Sequence, residues 1–149
     1  MEQRTHPRKD EVEKAISAVP WEDYETAYGS AAGVGDSLRA LFSEDREAAL
    51  RASHDLWCGL CHQHAFLSSA ALPAFDILFR GLEELDEPLK VEILDILYGF
   101  AACTARDREQ EWQRRLREKP LEKRPCFQAL TDHPNEDISA FAELILENL

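Results

Sequence analysis

The 149-residue chain has one methionine, Met1, only six glycines and only four cysteines, and each scarcity closes off a class of function. Without a second methionine, the motif Cys58-Gly59-Leu60-Cys61-His62 lacks the common axial partner of an attached haem, and attachment of that kind needs export. No glycine-rich phosphate loop and no G-x-S-x-G elbow occurs. No run approaches the ~18 apolar residues of a membrane span. The opening segment MEQRTHPRKDEVEK is too polar for a signal peptide, so the expected location is the cytoplasm, with the cysteines as reduced thiols, several of them buried.

Basic residues are scarce as well, 17 against 29 acids, for a formal charge of −12. Residues 1–20 are neutral, 21–105 carry −10 and 106–149 carry −2. A phosphate-binding surface needs the opposite sign, so direct nucleic-acid binding is not expected, and a basic protein is the better electrostatic partner. The plainer alternative is that the acids only keep a helical protein soluble.

A hydrophobic fraction of 44% supports one domain, residues 1–149, large enough to remove roughly 70% of its unfolded surface from water. Its organising feature is a repeat. Set beside DEPLKVEILDILYGFA, the segment DREAALRASHDLWCGL places Asp45 on Asp86, Leu56 on Leu97 and Trp57 on Tyr98, an offset of 41. Upstream, Val34, Leu38 and Leu41 fall on Phe75, Phe79 and Leu82. Two helices per unit at a period of roughly 40–47 residues is the pattern of HEAT-type repeats. The expected fold is all-α with no sheet, a short right-handed α-solenoid of HEAT-like hairpins capped by helices at both ends. Residues 1–33 form the N-terminal cap, 34–62 and 75–103 the repeats, and 104–149 the C-terminal cap. Helices are expected near 34–42, 45–61, 72–84 and 88–103.

A short amphipathic helix over 8–18 ends at Pro20, and Trp21 and Tyr24 open a helical turn packed on the solenoid end. Ser43 is the expected N-cap of the second helix. On that helix Arg51, His54, Asp55, Cys58 and His62 form a polar stripe opposite Leu50, Leu56, Trp57 and Leu60. On its copy, Glu92, Asp95 and Gly99 fall at the matching places. Stacked second helices line the concave face of such solenoids, so the candidate partner face is Arg51, His54 and Asp55 beside Glu92 and Asp95. His62 lies at its rim and the acidic turn Glu83, Glu84, Glu87 nearby. Glu92 and Asp95 are expected to be exposed. Eight bases between Arg106 and Arg124 read as a salt-bridged helix, with a weak anion-binding patch as the alternative. Pro120 and Pro125 bound a loop, and a closing helix begins at Pro134.

Catalysis is not expected. Cys58, Cys61, His62 and His64 could supply a zinc site, but in a helix Cys61 turns to the core while Cys58 faces out. His54 and Asp55 diverge by about 100° and cannot act as base and orienter. No metal, haem or other cofactor is therefore expected.

The order Ala27-Tyr28-Gly29-Ser30-Ala31, Val34, Leu38 to Leu41, Ser43, Asp45, Leu56-Trp57 and His62-Gln63 resembles a family of small bacterial HEAT-repeat proteins, over about residues 21–103. The chain departs from it at Gly35 (usually proline), at His64 (usually glycine), and at Cys58 and Cys61. The resemblance implies no catalytic or metal residues; it makes Tyr28, His62 and Gln63 structural, pinning the inter-repeat turn. Small, acidic, all-helical bacterial proteins of this kind resemble immunity proteins, which neutralise a toxin in the cytoplasm of its producer. The alternatives are a scaffold or regulatory subunit of a host complex and, against the −10 repeat region, a nucleic-acid-processing helical-repeat enzyme.

Overall fold

The computed structural model describes residues 7–149, apart from the side chains of Pro7, Arg8 and Gln63. Residues 1–6 of the expected N-terminal cap, and the family-matched Gln63 side chain, lie outside the described residues. The described chain is helical: α1 (Pro7–Ser17), α2 (Val34–Leu41), α3 (Arg46–Cys61), α4 (Ala71–Glu84), α5 (Glu87–Arg106), α6 (Glu111–Glu122), α7 (Arg124–Leu130) and α8 (Glu136–Glu147). Helices α2 to α5 lie near the four spans expected from the periodicity. No helix among the described residues is long and apolar enough to cross a membrane.

One departure is a small hairpin where a helical turn and no sheet were expected. After a 3₁₀ turn at Trp21–Asp23, β1 (Glu25–Thr26) pairs antiparallel with β2 (Gly29–Ser30). Gly29 closes it at φ +114°, a conformation that an L side chain rarely adopts. The Thr26 hydroxyl accepts from the Tyr28 N–H (3.1 Å), and the Ala27 N–H donates to the Gly59 carbonyl (2.8 Å), clamping the hairpin to α3.

The caps correct the sequence reading at Ser43. Ser43 does not cap α3, because its hydroxyl donates back to the Ala40 carbonyl (2.7 Å). Asp45 caps it, accepting from the Ala48 N–H (3.1 Å), and Asp86 caps α5 by accepting from the Leu89 N–H (3.2 Å). The two aspartates are the 41-residue pair found in the sequence, doing one job at the starts of α3 and α5. Arg46 pairs with Asp86, tying those two starts together.

Helix α5 is the central element. Leu89, Ile93, Leu94, Ile96, Leu97, Phe100 and Ala101 are all buried, because α5 packs against α3, α4, α6 and α8. The hairpins α2/α3 and α4/α5 set α3 beside α5, while α1 lies against α2 and α4. Leu56 and Leu97 are both in the core, but Leu50, expected there, is exposed.

The C-terminal third departs most. Pro120 sits inside α6, where its missing N–H removes the helical bond to the Leu116 carbonyl, and Pro125 starts α7, so no loop is bounded there. The final helix is capped by Asn135, whose side chain accepts from the Asp137 and Ile138 N–H groups. The arginines expected in salt bridges instead donate to backbone carbonyls. Arg108 reaches Thr104 O (2.7 Å), Arg117 reaches Ala101 O (3.0 Å), and Arg114 reaches Glu109 O (2.7 Å). Carbonyls near the end of α5 and in the segment before α6 are held in place by the backbone, so they compete well against the mobile, exposed carboxylates of α6. Arg117 is shifted down, first by burial and then by Arg108 and Arg124 beside it.

Candidate interaction face

The candidate face is set by the 3₁₀ turn His62–His64 that follows α3. Both His62 (φ 38°) and His64 (φ 68°) are in the left-handed region, a strain of about 1–2 kcal/mol each for an L residue. The turn folds the chain back over α5. It places the His64 ring between Trp57 (centroids 5.6 Å apart) and Tyr98 (4.9 Å), both in edge-on contact. Trp57 and Tyr98, the pair aligned by the offset of 41, are both half-buried and both touch His64.

His64 Nε2 lies 3.0 Å from Trp57 Nε1, 3.1 Å from the Asp95 carbonyl oxygen and 2.6 Å from Asp95 Oδ1. One ring nitrogen carries a hydrogen or a lone pair, never both, so it either accepts from the indole or donates to Asp95. Asp95 Oδ1 makes no aligned hydrogen bond, and its contact with His64 is a matter of charge and proximity. In either state His64 bridges α3 and α5.

This bridge corrects the expected stripe. Asp95 is half-buried under His64, and Gly99 is buried under Cys61 and His64. Glu92 is half-buried too, its carboxyl pushed above the usual range first by burial and then by Asp95, against an opposing pull from His54. A period on one helix cannot show that the following turn lies across it. His54, Glu92 and Asp95 are thus together, with Asp55 exposed alongside on α3. Arg51 is exposed nearer the start of α3 and faces Glu47 at 4.0 Å.

The acidic turn does not join this face. Glu83 and Glu84 line a depression with Arg80 and Glu11, between α4 and α1. Glu87 accepts from the Asn135 amide (3.1 Å) at the start of α8. The chain reverses between α4 and α5 at the end of the molecule remote from His62.

Beyond the polar stripe, the structure assembles an aromatic patch that the sequence reading treated as structural or left out. Tyr28, at the hairpin tip, is 72% exposed, and Phe66 is 50% exposed. They flank the His62 ring, at centroid distances of 6.2 and 4.7 Å, and Nδ1 of His62 is buried without a hydrogen-bond partner. The Tyr28 phenol is shifted up, by desolvation first and then by neighbouring Cys58 and Asp55. No protein-family model, curated protein or solved structure matches the chain. The face must therefore be read from its own chemistry. Tyr28 was legible as the aromatic of AYGSA, whereas Phe66 is a single aromatic in a non-periodic loop and gave no signal.

The cysteines divide as their helix positions dictate. Cys61 and Cys103 are buried, Cys58 is half-buried and Cys126 is exposed; all four are free thiols. Burial, with Cys103 and Asp95 adding to it, pushes the Cys61 thiol up to about 12. Cys58 Sγ lies 3.5 Å from His54 Nε2, while Cys61 Sγ turns inward to the Trp57 carbonyl (3.3 Å). Among the described residues no three His, Cys, Asp or Glu side chains are grouped to hold a metal ion.

Proposed function

We propose that the chain is a non-catalytic protein-binding module, a short right-handed solenoid of HEAT-like hairpins that acts as an immunity protein against a bacterial toxin. The carrying observation is the patch at His62. Two exposed aromatic rings flank a histidine whose buried Nδ1 has no partner among the described residues, on a turn held in a strained conformation. Exposed aromatics at the centre of a polar rim are the composition of binding hot spots, and an orphaned buried polar atom calls for a group supplied from outside. Asp55, Glu92 and Asp95 make the adjoining rim acidic, which suits a basic partner. The solenoid reading draws on the α2/α3 and α4/α5 hairpins and on the matched caps Asp45 and Asp86.

The test is co-expression with the toxin encoded beside this chain's gene, scored by growth, together with association kinetics on the purified pair. Wild-type chain should restore growth. Tyr28→Ala with Phe66→Ala should lose binding by about tenfold or more, as hot-spot truncations do, with helicity retained. Arg39→Ala, which removes pairs to Glu13 and Asp36 on the α1–α2 side, should leave protection intact. Protection untouched by the aromatic double variant would place the binding face elsewhere; no effect of the wild-type chain on any neighbouring toxin would remove the immunity reading.

A further inference from the structure

A separate cleft of about 290 Å³ lies where residues 65–67, the end of α5 and the start of α6 meet. That is close to the ~300 Å³ lower bound of small-molecule sites. Its lining includes Phe66 and Leu67, the Cys103 thiol, and three polar groups: Arg106, Asp107 and Gln113.

Gln113 is the informative member, being only 7% exposed. Its Oε1 accepts from the Gln110 N–H (2.9 Å) in the capping box that starts α6. Because a backbone N–H requires an acceptor, that contact fixes which end of the amide is oxygen, and the Nε2 hydrogens remain on the cleft side. Among the described residues they have no protein partner. The residue is mostly buried, but its amide nitrogen opens to the cleft, so both donors are available to a ligand there.

The other two polar groups complete a pattern. Arg106 Nη2 is held by the His64 carbonyl (3.1 Å) and Cys103 Sγ (3.5 Å), which fixes the guanidinium at the cleft and leaves Nη1 and Nε free. Asp107 Oδ1 accepts from the Glu109 N–H (3.2 Å), and its second oxygen is unused. Although adjacent in sequence, Arg106 and Asp107 form no ion pair with each other. A simple anion would meet Arg106 and Gln113 but be repelled by Asp107; a simple amine would meet the reverse. A ligand with both charges satisfies all three, with its apolar part against Phe66 and Leu67.

We propose that this cleft binds a free α-amino acid with an apolar side chain, its carboxylate on Arg106 and Gln113 and its ammonium on Asp107. The inference does not depend on the partner reading, although Phe66 belongs to both surfaces. Leucine and phenylalanine are the probes, titrated into the full chain by calorimetry and by the side-chain amide signals of ¹⁵N-labelled protein. Saturable binding that shifts the Gln113 amide is expected, with N-acetyl-leucine, acetate and phosphate binding at least about tenfold more weakly. Gln113→Glu keeps the capping oxygen and removes the donors, so it should weaken leucine by about tenfold or more with helicity unchanged. Arg106→Leu is the second variant, should the first fail to fold. Absence of binding, equal binding of N-acetyl-leucine, acetate or phosphate, or leucine binding unaffected by the folded variants would each overturn the proposal.

Discussion

Gly99 is the position at which the arrangement of the candidate face can be tested by a single methyl group. A Cβ built there would lie 2.7 Å from Cys61 Sγ, 2.8 Å from His64 Cδ2 and 3.0 Å from Cys61 Cβ. None of these is the far end of a flexible chain: Cys61 is buried on α3, and His64 is held by Trp57, Tyr98 and Asp95. Gly99→Ala therefore sets two effects against each other. Replacing glycine inside a helix gains about 1 kcal/mol. Overpacking a filled site costs about 1–3 kcal/mol, and lifting His64 from its two aromatic neighbours adds about 0.5–1.5 kcal/mol. The cost wins, and a net loss of about 1–2 kcal/mol should lower Tm by about 2–8 °C in a domain of this size. Gly59→Ala is the control, since its Cβ would meet only Thr26 atoms at 3.6 and 3.8 Å, ordinary contact, on the helix that bears Cys61. It should be neutral or stabilise by up to about 1 kcal/mol. Thermal and urea unfolding followed by far-ultraviolet circular dichroism measures both. If Gly99→Ala is as stable as Gly59→Ala, the turn after α3 does not lie on α5 and the candidate face is wrongly assembled.

Other consequences follow from burial and charge. Leu56→Ala and Leu97→Ala should each cost about 2–5 kcal/mol in urea unfolding, since both side chains are in the core; losses under about 1 kcal/mol at both would contradict their burial. Glu92 has a raised pKa in the fold, so its ionisation opposes folding at neutral pH and ceases to matter below the usual carboxylate range. Glu92→Gln should accordingly raise Tm at pH 7, with the gain vanishing as the pH falls below about 4, and a gain that grows in acid would reverse the sign. Thiol labelling of the native protein should modify Cys126 first and leave Cys61, buried and pushed up to about 12, unreactive until unfolding; early labelling of Cys61 by mass spectrometry would contradict its position.

The sequence by itself determined helices α2 to α5 and their order. Apolar residues three and four apart mark α2 to α5 because a helix turns every 3.6 residues, and the offset of 41 aligns Asp45 with Asp86, but the cap of α3 was decided by the fold, where Ser43 turns back to Ala40 and Asp45 takes its place. The Leu56/Leu97 and Trp57/Tyr98 pairs were legible for the same reason: their spacing is a property of the chain. What only the tertiary structure decided depends on segments without a period. The hairpin that lifts Tyr28 into solvent is held by bonds to Gly59 and by one glycine at positive φ. The turn at His62–His64 buries Asp95 and Gly99, which a helical wheel leaves open, and sets Phe66 beside His62. Likewise the bases around α6 look salt-bridged when read along one helix, yet Arg117 of α6, like Arg108 just before it, reaches a backbone carbonyl near the end of α5, because a fixed backbone oxygen brought near by folding competes better than a mobile carboxylate near in sequence.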